Sequence, residues 1–257
     1  MTVYTAPGMW DYLKNYLPPG PYTRKGAGLA LLPVLVALVM LVVDQFGLQT
    51  RFMQMFGSSL LQQGIDPNDI RFLAQIYFSS FTLVFFVAIP LLFHIVFPPG
   101  LDNPFGFRVR SCRPHIPVYL AMVVFMVPLL WMASGRYSFY SFYPMYNPVS
   151  IGMWLLYEAV YMTQFFAVEF FFRGFALFRL ESRFGLHAIT IMVVPYALLH
   201  IHKPFAEALA SIVAGLVLGL LALKSRSIWP GVLIHCTVAF CMDWFALIHS
   251  GRMAVLW

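Results

Sequence analysis

The sequence predicts an all-α, polytopic integral membrane protein with about seven transmembrane helices. Of its 257 residues 61% are hydrophobic and only 10% charged, whereas a soluble domain carries about 25% charged residues. Several apolar runs approach the roughly 20 residues that cross a bilayer as a helix. None shows the alternation, in segments of about 10 residues, that marks a membrane barrel.

Spans are predicted near 27–46, 72–97, 116–133, 150–178, 186–201, 205–223 and 228–248. Residues 1–26 contain Pro18, Pro19, Pro21, Arg24 and Lys25 but no apolar core of a signal peptide. With Tyr4, Trp10, Tyr12, Tyr16 and Tyr22 beside its cations, this segment reads as an interfacial belt on the cytoplasmic side. Residues 27–257 read as one transmembrane domain. Between the first two spans, Phe52, Met53, Phe56, Leu60 and Leu61 recur at helical spacing and predict a short surface helix before the turn Asp66-Pro67-Asn68-Asp69.

Loop cations set the expected orientation. Arg24 and Lys25, then Arg108, Arg110 and Arg113, then Arg179 and Arg183, then Lys224 and Arg226 fall in alternate loops, which places those loops in the cytoplasm of a bacterial-type inner or plasma membrane. An odd span count leaves the N-terminus inside and the C-terminus outside. The same loops account for the formal charge of +6. No phosphate loop, dinucleotide fingerprint or nucleic-acid module accompanies it, so nucleic acid is not an expected partner. Cys112, Cys236 and Cys241 give neither a disulfide framework nor metal-ligand spacing.

Ionisable residues inside a membrane point to function by default. Glu169 and Arg173 stand four residues apart in an apolar helix, where each can neutralise the other. Glu169 lies about as far before Gly185 as His200 lies after it, so a helical hairpin turning at Phe184-Gly185 brings both to one depth, about 23 Å from the turn. His235, about two turns into the last span, approaches from the same side. Glu158 is three turns from Glu169 on nearly the same face and would line the outer end of a shared cavity, or form an interhelical hydrogen bond near Tyr157, Tyr161 or Gln164. Asp243 is expected near the outer surface in a solvated position.

Zinc is the metal whose ligand types are present, in Glu169, His200, His202 and His235. On a helix His200 and His202 point about 200° apart, however, so the reading calls for no cofactor.

The segments Glu169-Phe-Phe-Phe-Arg173-Gly174-Phe175, Tyr196-Ala-Leu-Leu-His200 and Ser227-Ile-Trp-Pro230-Gly-Val-Leu-Ile-His235 together resemble the CPBP intramembrane protease family, which includes type II CAAX prenyl endopeptidases and bacteriocin-immunity proteins. The resemblance spans roughly 105–246. It implies that Glu169, Arg173, His200 and His235 are catalytic positions and that Tyr196 stands where the family usually has Phe; Tyr196, with Glu158 from its helix spacing, is read as lining the binding cavity. It also shows two departures. Val168 replaces the glutamate thought to activate water in the family, and Ala239 replaces an asparagine.

The activity so implied is water attack on a peptide bond of a membrane-embedded or lipidated peptide or protein. Glu169 or a histidine would be the base, Arg173 would hold Glu169, and the histidines would position water or stabilise the oxyanion. A catalytically silent scaffold that binds membrane peptides is the main alternative, because neither Val168 nor Ala239 can supply the missing chemistry. A transporter is a further alternative, without the paired repeats that such folds show.

Overall fold

A computed structural model describes residues 24–256. The expected interfacial belt therefore lies outside the described residues except for its last members. Within them the chain is helical, with a single isolated β-bridge between Phe107 and Ser227. The helices are α1 (Lys25–Gly47), α2 (the consecutive pieces Gln49–Phe52, Met53–Gly57 and Ser58–Gln62), α3 (Pro67–Val96), α4 (Ile116–Ser134), α5 (Ile151–Phe184), α6 (His187–Leu198), α7 (Phe205–Ser225) and α8 (Trp229–His249). The short helix expected after the first span is α2. Asp66 then caps α3, its carboxylate accepting from the Asn68 N–H at 2.8 Å with Pro67 in the first turn.

Six helices, α1, α3, α4 (with the turn before it), α5, α7 and α8, are long and apolar enough to cross a membrane. The molecule is an integral membrane protein. Lipid is the solvent that its surface fits: Val34 is 64%, Val124 72% and Leu233 67% exposed, an apolar surface that soluble monomers rarely present.

The predicted span 186–201 differs. It is α6, a helix of 12 residues, about 18 Å long and short of the roughly 30 Å hydrocarbon core. The chain turns at Leu199, where the N–H groups of His200 and Lys203 bond to the carbonyls of Ala197 and His200, and Pro204 then precedes α7. Hydropathy extended this span because Ile201 is apolar. The run of His200, His202, Lys203 and Pro204 ends the helix earlier.

Packing joins α3 to α5, α4 to α8 and α6 to α7. The α6–α7 pair approaches closely through glycine. A Cβ on Gly215 would stand 3.0 Å from Tyr196 and Val193, and one on Gly219 would stand 3.0 Å from Ile189. The main apolar cluster is centred on Phe170, Phe171, Phe172 and Phe175 of α5, against Leu32 and Val39 of α1, Phe86 of α3 and Met192 of α6.

Candidate functional site

The site begins with the helix that carries Glu169. α5 is α-helical through Glu169 and widens into a π-helical segment, Phe170–Leu177, a form that often marks functional positions. Gly174 belongs to this segment, and a Cβ there would lie 2.7 Å from the Phe105 carbonyl. The close approach of that loop therefore requires glycine. α5 ends at Gly185, whose φ of +53° and N–H bond of 2.9 Å to the Glu181 carbonyl form the expected hairpin turn into α6.

The hairpin returns α6 against α5, and α8 closes the third side. Glu169 Oε1 has two close nitrogen neighbours, Arg173 Nη1 at 3.0 Å and His235 Nδ1 at 2.7 Å. Glu169 and Arg173 are almost fully buried, at 1% and 0% exposed. The other face of the His235 ring is bounded by Phe165, stacked at 5.7 Å. His235 Nε2 is 3.0 Å from the Tyr196 hydroxyl. The Nδ1–Oε1 contact lacks hydrogen-bond geometry, so the bond to Tyr196 is the hydrogen bond that holds the ring.

Tyr196 is the hub of the cluster. Its ring lies 4.0 Å beneath the Arg173 guanidinium carbon, a cation–π contact in a dry setting. Its backbone carbonyl is 3.2 Å from His200 Nδ1, and the two rings meet edge-on at 5.1 Å. With Nδ1–H directed to that carbonyl, the lone pair of neutral His200 is on Nε2. The four positions implied by the resemblance thus meet around a fifth residue, Tyr196, one turn before His200. Glu169 Oε1 makes no hydrogen bond among the described residues, and Oε2 abuts Gly231 in the first turn of α8, where a Cβ would collide with the carboxylate.

The two departures have distinct surroundings. Val168 packs against the main apolar cluster, away from the Glu169 carboxylate. Ala239 is buried among Tyr146, Tyr157 and Tyr161.

Other polar residues assemble elsewhere. Glu158 does not share the Glu169 cluster. It is buried beside Asp243, and the oxygens of both carboxylates make no hydrogen bond among the described residues. Asp243 is 0% exposed, which corrects the solvated position expected for it: its helix face turns inward onto α5. Near this pair the Tyr143 hydroxyl donates to Glu207 at 2.7 Å and accepts from Lys203 at 3.0 Å. Burial and the neighbouring Glu207 carboxylate hold the Tyr143 phenol well above its ordinary range, so it remains a donor. His202 pairs with Asp44 at 3.0 Å, apart from His200.

Among the described residues no group of three or more His, Cys, Asp and Glu side chains is arranged to hold a metal ion. The donor set does not fit one either, since both His235 nitrogens are engaged and Glu169 already faces Arg173.

Gly231 and Asp243 are the positions that sequence reasoning missed as parts of polar clusters. Gly231 stands inside the quoted Ser227 to His235 segment, so its signal was a glycine in the first turn of a helix. Asp243 offered only an intramembrane carboxylate.

This is an integral membrane protein with a buried Glu-Arg-His-Tyr cluster walled by α5, α6 and α8. Residues 150–241, a little over a third of the chain, match the family model described as Type II CAAX prenyl endopeptidase Rce1-like. This match agrees with the resemblance of the motifs to the CPBP family. No curated protein and no solved structure gives a match.

Proposed function

We propose that the protein is an intramembrane endopeptidase that hydrolyses a membrane-embedded or lipidated peptide. The observation that supports this is the continuous contact chain Arg173–Glu169–His235–Tyr196–His200, which holds an imidazole with a free Nε2 beside a cationic, hydroxyl-bearing wall.

In this mechanism His200 Nε2 takes a proton from water, and the resulting hydroxide attacks the peptide carbonyl. Charge developing on the carbonyl oxygen is met by the Arg173 guanidinium and by the Tyr196 hydroxyl, whose proton turns from His235 to the new oxyanion. Protonated His200 then gives its proton to the departing amine, and the peptide bond breaks to leave a carboxylate and an amine. Glu169 acts on His235 and Arg173 rather than as the base, since its Oε1 faces both of them. The role that the family assigns to a glutamate at position 168 passes to His200. Only His235, at 16% exposed, and half-buried His200 connect the cluster to a surface, so substrate enters on their side.

Purified full-length protein incubated with prenylated and unprenylated membrane peptides, with products read by mass spectrometry, tests this reading. Cleavage by wild type that is lost in His200→Ala supports it; cleavage unchanged in His200→Ala overturns the site. A silent peptide-binding scaffold is the second reading, favoured by the apolar packing of Val168 and Ala239. Binding of these peptides without any cleavage would select it.

A further inference from the structure

We propose that a cationic cavity at the far end of α5 binds the phosphate of an anionic membrane lipid. The cavity, about 250 Å³, lies where α1 begins and α5 ends, and its lining includes Lys25, Leu29, Pro99, Arg179, Ser182 and Arg183. Three of these are cations and none is acidic. The loop cations place this end at the cytoplasmic headgroup layer.

Arg179 carries the inference. It is 4% exposed, and its guanidinium lies 4.6 Å over Phe175 and 5.6 Å from the Phe93 ring. Its Nη1 donates to the Phe97 carbonyl at 3.0 Å, and its Nη2 is 2.9 Å from His94 Nδ1. Its Nε has no hydrogen-bond partner, and no carboxylate pairs with it among the described residues. The other buried arginine of α5, Arg173, is neutralised by Glu169. Glu181, the nearest acid in sequence, is occupied by both Nη groups of Arg226.

A buried guanidinium without a counter-ion is costly, so this setting favours an arriving anion. Lys25 and Arg183 add charge at the mouth, and Ser182 adds a hydroxyl. Phosphate suits such a guanidinium site.

The rim identifies the source of that phosphate. Leu29 and Pro99 give the cavity an apolar side, and Leu31, Ile95 and Val96 on α1 and α3 are exposed large apolar residues close by in the chain. A phosphate in the cavity would thus leave its acyl chains along a lipid-facing surface. Free phosphate has no use for that surface.

Native mass spectrometry of the full chain in detergent, titrated with phosphatidylglycerol or with phosphatidylcholine of the same acyl chains, tests the site. Phosphatidylglycerol should be retained preferentially. The double variant Lys25→Gln/Arg183→Gln, which removes two exposed cations and leaves Arg179 in place, should weaken that retention about thirtyfold. Equal retention of the two lipids, or unchanged retention in the double variant, would overturn the proposal. Displacement of phosphatidylglycerol by an equal concentration of glycerol phosphate would also overturn it and assign a site for a soluble anion.

Discussion

Glu169→Gln keeps the side-chain shape and removes its charge, leaving Arg173 as an unpaired cation at 0% exposure. Breaking a buried pair from one side costs about 3–5 kcal/mol, chiefly from the charge left behind, whereas replacing both partners by neutral groups is often close to neutral. His235 loses its 2.7 Å carboxylate contact as well, which adds about 1 kcal/mol. The single variant should therefore lose about 4 kcal/mol or more, and Glu169→Gln/Arg173→Met should recover most of that loss. Reversible denaturation of wild type, both single variants and the double variant in one detergent gives the coupling energy directly. Additive effects of the two substitutions would refute the buried-pair reasoning.

The neighbouring positions give three further expectations. Tyr196→Phe deletes the 3.0 Å contact to His235 and should cost about 1 kcal/mol of stability while lowering cleavage by about 100-fold or more, in the range seen when an oxyanion donor is removed; full activity in product assays would exclude Tyr196 as that donor. Gly231→Ala drives a methyl group into the Glu169 carboxylate and should reduce cleavage in folded protein, with Gly231→Ser no better; wild-type turnover in either would show that this carboxylate does not need its position. Glu158→Gln, which puts a neutral amide beside the buried Asp243, should change stability by less than about 1 kcal/mol in denaturation experiments, since two adjacent buried like charges repel; a loss above about 3 kcal/mol would mean that Glu158 is held as a charge.

Helix periodicity and the spacing about Gly185 made much of this arrangement legible. Glu169 and Arg173 are four residues apart, so their contact follows from helix geometry, and the left-handed φ at Gly185 follows from its glycine. The bond between Tyr196 and His235, 39 residues apart, has no such signal. Read alone, Tyr196 is an aromatic near a histidine, and only its contact with His235 of α8 makes its hydroxyl central. The pairing of Glu158 with Asp243 was hidden for the same reason: the rotation of α8 about its axis decides whether Asp243 meets headgroups or α5, and an apolar helix with residues of mixed size leaves that rotation unmarked. α6 was overextended because hydropathy counts Ile201 as membrane, while the chain had already turned at Leu199.

Water attack directed by His200 is tested most directly by letting the protein cleave a lipidated membrane peptide in heavy-oxygen water and weighing the products. Wild type should place one heavy oxygen in the new carboxylate, and the folded His200→Ala variant should give no product. Equal labelled product from that variant would contradict it.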